Sequence, residues 1–339
     1  MRALRALLPC AALLGLSACA TLQITELQKS ADKPSNVAVY FKVVQNNGDP
    51  VPGLTADSFT IYEDEKPVSK SESQQTILNP EVAASHYTLL LVDMSGSVSG
   101  EDGSSEQVIQ AADVFASRVE TNNFVAIYAF DGSEDIHKLV PFAKAQEGKS
   151  RAERIGAFAA EDPSTNLNGA VVQGLEVLDE VLEDAKTPLK FGTLVVFSDG
   201  TDRAARVSED DMVTAVGDTD HDVFAIGLGS EISEKDLGRI GKDGTTLATD
   251  KAAVTQAFDE IAAKIEGLTK SYYLLSYCSP ARAGAHEVTI EAEAKVGDKT
   301  KKGKLDSSFD AEGFDKGCDP STPPKFDVTQ GDALVADEE

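Results

Sequence analysis

Asp93-Met94-Ser95-Gly96-Ser97 sets a carboxylate and two hydroxyls on alternate residues, directly after the apolar run Leu89-Leu90-Leu91-Val92. Two more oxygen-bearing residues stand in similar places. Thr165 comes just ahead of a helical pattern beginning near Leu167, and Asp199 directly follows Leu194-Val195-Val196-Phe197-Ser198. Ligand sites of open α/β sheets lie beyond the carboxyl ends of the strands, so these loops are where a site belongs. The donors are all oxygen, with no His or Cys among them. That set selects a hard cation, Mg2+ first and Mn2+ or Ca2+ next. The plainer reading of Ser95, Ser97 and Thr165 is capping of turns and helices.

Other chemistries fit less well. Ser95 on a strand-to-helix turn invites a serine hydrolase, but the G-x-S-x-G elbow is missing: Asp93 holds the first Gly position and Ser97 the last. His86, His137, His221 and His286 have no recognisable spacing to it. A phosphatase of the haloacid-dehalogenase type wants Asp where Ser95 stands. Gly227-Leu228-Gly229 is half a dinucleotide fingerprint and follows a late strand.

The elements that must position these residues are legible in the pattern. Leu89–Val92, Val125–Phe130, Leu194–Phe197 and Val223–Leu228 read as fully buried strands. Between them lie amphipathic helices, with faces Val108, Ala111, Phe115, Val119; Leu167, Val171, Leu175, Leu178, Leu182; and Val254, Phe258, Ile261, Ile265. Strand and helix alternating in this way predict an α/β domain, a mostly parallel sheet wrapped on both sides. Outside it the pattern is β-like. Val37, Val39, Phe41 and Val43 alternate as in a half-buried strand, and His286–Ala294 alternates again. The simplest architecture packs these two β-segments together, with the α/β domain inserted between them. Asp57, Glu63 and Asp64 are expected to be solvated turn carboxylates.

Asp93-x-Ser95-x-Ser97 with Thr165 and Asp199 resembles the complete metal-ion-dependent adhesion site of a von Willebrand factor A domain. Ser164-Thr165-Asn166-Leu167, Val196-Phe197-Ser198-Asp199-Gly200 and Ala225-Ile226-Gly227-Leu228-Gly229 fall where that family has similar segments. The resemblance covers roughly residues 86 to 270. It implies a doubly wound sheet with one antiparallel edge strand. It also implies a cation bound by the serines and threonine directly or in a state-dependent way, and largely through water by the aspartates, and a protein ligand that offers the metal a carboxylate. Val51–Asp64 resembles the small β-module ahead of this domain in many secreted bacterial proteins of the family, although Glu65 stands where Gly usually follows the acidic pair.

The address lies at the start. Met1–Arg5 is basic and Ala6–Leu16 apolar, the two parts of a secretory signal and too short for a permanent span. Leu16-Ser17-Ala18-Cys19 resembles the lipobox of bacterial lipoproteins, which implies acylation at Cys19 and a membrane anchor; Ala20, not Asp, favours the outer membrane. Cleavage after Ala20, leaving no lipid, is the alternative. With Cys10 removed and Cys19 acylated, Cys278 and Cys318 remain, and in an oxidising compartment they pair most simply with each other; two buried free thiols are the other option. The resulting division is signal 1–18, tether 19–35, β-module 36–80, α/β domain 86–270, β-segment 271–318 and an acidic disordered tail 319–339. The 339 residues carry 57 acidic against 31 basic side chains, a net charge of −26, which repels nucleic acid. The function expected is metal-dependent protein binding at the cell envelope, not catalysis; a hydrolase using Ser95 or a scaffold with a vestigial site are the alternatives.

Overall fold

The computed structural model describes residues 22–78, 84–100, 104–144, 150–187 and 189–326. The signal segment, Cys19 and residues 327–339 of the tail lie outside them. The described residues begin with five strands: β1 (Leu22–Asp32), β2 (Asn36–Gln45), β3 (Phe59–Glu63), β4 (Lys66–Pro67) and β5 (Thr76–Leu78). Then come β6 (Ala84–Asp93), α1 (Gly96–Ser99), α2 (Ser105–Val119), β7 (Phe124–Phe130), β8 (His137–Ala143), α3 (Arg151–Gly156) and α4 (Leu167–Asp184). The α/β part continues through β9 (Leu189–Ser198), α5 (Glu209–Asp218), β10 (Asp222–Leu228), α6 (Glu234–Ile240), β11 (Gly244–Ala248) and α7 (Val254–Thr269). Three strands close the chain: β12 (Tyr272–Cys278), β13 (Ala285–Val296) and β14 (Lys299–Asp310).

The central sheet has the order β11-β10-β9-β6-β7-β8, parallel throughout except for the antiparallel edge strand β8. Its middle strand is apolar on both sides because both sides are covered. Leu90 and Val92 pack with α2 and α7, while Leu89 and Leu91 pack with α4, α5 and α6. Each such leucine contributes about 1.5–3 kcal/mol by burial, so β6 is firmly seated up to Asp93. From β6 the chain winds first towards β7 and then back to β9. The sheet order therefore reverses between β6 and β9, and the crevice at their carboxyl ends is the place for a ligand.

The remaining strands form two antiparallel sheets, β1-β2-β12-β5 and β14-β13-β3-β4, drawn from both ends of the chain. Val37, Val39 and Phe41 of β2 and Tyr273 and Leu275 of β12 meet Phe59 and Ile61 of β3 and Val288 and Ile290 of β13 in one core. The α/β domain is thus inserted into a β-sandwich. β2 is not half-buried as its alternation suggests. Ala38 and Tyr40, 3% and 0% exposed, pack with Ala84, Leu189 and Phe191 at the base of the α/β domain.

Three further expectations give way. From Leu22 the stretch read as a tether is an 11-residue strand; a register shift between Glu26 and Gln28 breaks its alternation, which hides the period. Residues 319–326 are held, not loose: Asp319 N donates to Asn36 Oδ1 at 3.3 Å, Lys325 N donates to Asp32 Oδ2 at 3.0 Å, and Phe326 is buried beside Tyr40 and Leu274. Glu63 is buried and accepts from Ser279 Oγ at 3.1 Å, and burial holds its carboxyl above the usual range. Asp64 is exposed, as expected, and with Glu65 it makes the tight turn between β3 and β4 at φ 46° and 64°. That is left-handed geometry, which explains why Gly is usual at position 65.

Cys278 and Cys318 form a disulfide, with Cα atoms 5.7 Å apart. Among the described residues no helix is long and apolar enough to cross a membrane.

Candidate metal centre

Asp93 ends β6 with its carboxylate fully enclosed. Oδ1 accepts from the Ser95 amide at 2.9 Å and Oδ2 accepts from Ser198 Oγ at 2.6 Å. The first contact folds the turn that points Ser95 and Ser97 the same way, their Oγ atoms 3.2 Å apart. Ser97 Oγ then donates to Asp199 Oδ1 at 2.7 Å, across from the β9 loop. Four of the five residues singled out in the sequence are therefore joined in one polar cluster at the β6–β9 crevice.

Thr165 reaches the crevice through its backbone. The Gly96 amide donates to Pro163 O at 2.9 Å, tying the serine loop to residues 161–166. Arg203 N and Ala204 N donate to Thr165 O at 2.9 and 3.0 Å, tying the same segment to the Asp199 loop. All three loops that carry the expected ligands are hydrogen-bonded to one another, and Thr165 is buried at their junction.

Two further residues of this polar cluster are not singled out by the sequence reading. Ser198, 2% exposed, bonds both Asp93 and the Gly200 amide and so locks the two acidic loops together. Asp131 lies at the end of β7 and accepts from the amides of Ser133, Glu161 and Asp162 at 2.7, 2.7 and 3.2 Å. A signal for it existed, because it directly follows a buried strand as Asp93 and Asp199 do.

The electrostatics suit a cation. Burial pushes the Asp93 carboxyl up to about 6, against hydrogen bonds from Ser198 and Ser95 that lower it, and the charge of Asp199 pushes it further. Burial also raises Asp199; the Ser97 hydrogen bond opposes this, Glu231 adds to it and Arg203 offsets it. Two desolvated carboxylates that repel each other are relieved by a bound positive ion. Among the described residues no group of three or more His, Cys, Asp or Glu side chains could hold a metal, so a cation here depends on the hydroxyls of Ser95, Ser97 and Thr165. That donor set, hard oxygens around two carboxylates, fits Mg2+ or Mn2+.

The model of the von Willebrand factor type A domain matches residues 89–263, just over half of the chain. This chain belongs to that family. Its central sheet, with one antiparallel edge strand and helices on both faces, is the A-domain fold. Solved structures resemble it distantly. A von Willebrand factor type A protein from Catenulispora acidiphila is 13% identical, over 86% of this chain and 73% of its own, with a TM-score of 0.43. Manganese-loaded TRAP protein of Plasmodium vivax is 13% identical over 75% of this chain and 98% of its own, TM-score 0.42. Proximal thread matrix protein 1 from the mussel byssus, with its metal-ion-dependent adhesion motif occupied by zinc, is 13% identical over 59% of this chain and 49% of its own, TM-score 0.40. No curated protein matches this A-domain chain.

Proposed function

We propose that this A-domain protein is a lipoprotein of the bacterial envelope, anchored through Cys19 in the outer membrane, that binds another protein through a divalent cation. Asp93, Ser95, Ser97, Thr165 and Asp199 hold the ion. The observation that carries the reading is the Ser95–Ser97–Asp199 relay, 3.2 and 2.7 Å, built on a buried Asp93. Mg2+ at this place, charge-balanced by two carboxylates but short of oxygen ligands, supplies a Lewis-acidic position for a carboxylate from the partner. The chain's own residues do the rest. The serine and threonine hydroxyls add no charge, so the ion keeps its pull on the partner. The net charge of −26 repels acidic surfaces, so the partner offers one exposed Asp or Glu set among neutral or basic residues.

A hydrolase finds less support. Ser95 Oγ shares its hydrogen bond with Ser97, and Asp93 is taken up by Ser95 and Ser198, not by a histidine. The test is a crosslinking pull-down on the full-length protein with and without EDTA, beside calorimetry with Mg2+ and Mn2+. A partner retained only with divalent metal, and lost in Thr165→Ala, supports the reading. No heat with either ion at millimolar concentration overturns it. For the anchor, Cys19→Ser must move the protein out of the membrane fraction; unchanged partition defeats the lipoprotein assignment.

A further inference from the structure

Phe130-Asp131-Gly132 bonds both the serine loop and the loop of Thr165, two loops that also touch directly at Gly96 and Pro163. Phe130 O accepts from Met94 N at 2.8 Å, on the serine loop. Asp131 O accepts from Asn166 N at 2.8 Å, and Gly132 N donates to Asp162 O at 3.0 Å, both on the loop of Thr165. The Asp131 side chain, 1% exposed, completes the grip. Oδ1 accepts from Ser133 N while Oδ2 takes both Glu161 N and Asp162 N. Residues 161–166 have no helical or sheet ladder of their own. The amides that enter this loop are satisfied by one carboxylate roughly thirty residues earlier in the chain.

We infer that Asp131 is the positioning residue of the centre: it fixes the 161–166 loop so that Thr165 faces the serine loop. The inference rests on the metal reading above. It explains why the residue is Asp and not Asn. Three N–H donors converge on two oxygens, and an Asn of the same shape turns one of those oxygens into an NH2 group that faces donors. A buried donor left unmatched is costly enough to shift the entry of this loop against the backbone hydrogen bonds that Gly96, Gly132, Arg203 and Ala204 make with it. Asp131 need not touch the ion; it acts through Thr165.

The experiment uses the full-length protein, wild type, Asp131→Asn, Thr165→Ala and the double variant. Mn2+ binding is read by electron paramagnetic resonance titration into the millimolar range. Amide hydrogen exchange over 161–166 is read without metal. Supporting residues of a metal site are commonly worth ~10–100-fold in affinity, and that loss is expected for Asp131→Asn. Exchange in 161–166 must quicken while β6 and β9 stay protected. Once Thr165 is Ala, Asp131→Asn must cost nothing more, because its effect passes through that residue. A merely electrostatic influence on the ion would persist in the double variant and overturn the inference, as would wild-type affinity or unchanged exchange. Should Asp131→Asn fail to fold, Glu161→Pro removes one of the three donors and leaves Asp131 in place; its affinity must also fall. If the wild type binds no metal, the metal reading fails and takes the inference with it, while quickened exchange alone would mark Asp131 as a loop staple with no bearing on a centre.

Discussion

Gly96 and Pro163 face each other at the rim of the centre with no room between them. The Gly96 amide donates to Pro163 O, and a Cβ at position 96 would stand 3.0 Å from Pro163 Cβ and 3.1 Å from its carbonyl oxygen. Gly96 is thus the point where the serine loop and the Thr165 loop are pressed together. Gly96→Ala must push them apart. Overpacking of this kind costs about 1–3 kcal/mol, and the displaced Thr165 loop loses roughly tenfold in Mg2+ affinity. Thermal unfolding and calorimetry on one sample check both; an affinity equal to wild type would show that the two loops need not touch.

Asp93 is where stability and binding pull in opposite directions. Its folded value, about 6, lies above the 3.8 of an unperturbed aspartate, so its charge costs stability above pH 6, and that cost fades as pH falls towards 3.8. The shift corresponds to about 3 kcal/mol in the metal-free protein. Asp93→Asn is therefore expected to unfold at higher temperature than wild type in EDTA at pH 8 and to bind no Mg2+. Addition of Mg2+ should raise the melting temperature of wild type alone. A variant less stable than wild type in EDTA would contradict the assignment.

The junction between sandwich and α/β domain is expected to weaken in acid. His86 stacks on Phe191 at 4.9 Å and leans on Tyr272 at 5.0 Å. Burial, then the charges of Lys144 and Lys42, lower its value to about 4. The unfolded chain takes up a proton near pH 6.5 that the folded chain refuses until about pH 4, so stability declines as pH drops through that window, by ~3 kcal/mol. His86→Phe must flatten the pH dependence of denaturant midpoints between 6.5 and 4. A profile as steep as wild type places the acid sensitivity elsewhere.

The Cys278–Cys318 bridge closes a loop of sequence separation 40, for which chain entropy gives ~4 kcal/mol. Reduction, or Cys318→Ser, must lower the unfolding temperature and expose residues 319–326 to protease while metal binding persists. Simultaneous loss of metal binding would mean that the sandwich and the centre are coupled.

These residues also show what a sequence makes visible. Asp93, Ser95, Ser97 and Asp199 stood out because β6 and β9 are buried on both faces, which writes an apolar run that ends abruptly in polar residues. Thr165 was legible as the residue before an amphipathic helix. Ser198 is not legible, since it acts on a neighbour's carboxylate, a contact with no spacing rule; Asp131 carries the signal of its place after β7, but its grip on distant backbone amides has no motif. β1 was lost to its register shift. The second buried face of β2 was lost because Ala38 and Tyr40 are ambiguous about burial. Phe326 was hidden in a segment whose prolines and carboxylates read as disorder.

The register of the sandwich has a last consequence, for the distance at which a partner is met. Thr25 of β1 and Tyr272 of β12 lie on either side of Lys42 of β2, and Leu78 pairs with Leu274 just beyond. The point where the chain enters the sandwich and the two points where it passes to and from the A domain are therefore at one end of the same sheet. For a lipid on Cys19, three residues ahead of Leu22, the anchor would join the sandwich at the end where the A domain is attached. With such an anchor, stand-off of the crevice from the bilayer would be expected to follow the A domain, whose ten-residue β6 spans about 33 Å. Residues added before Leu22 would lift the binding face, whereas residues added at the β13–β14 turn would leave its height unchanged. Fluorescence transfer from a labelled bilayer to a dye beside Ser97 measures that difference.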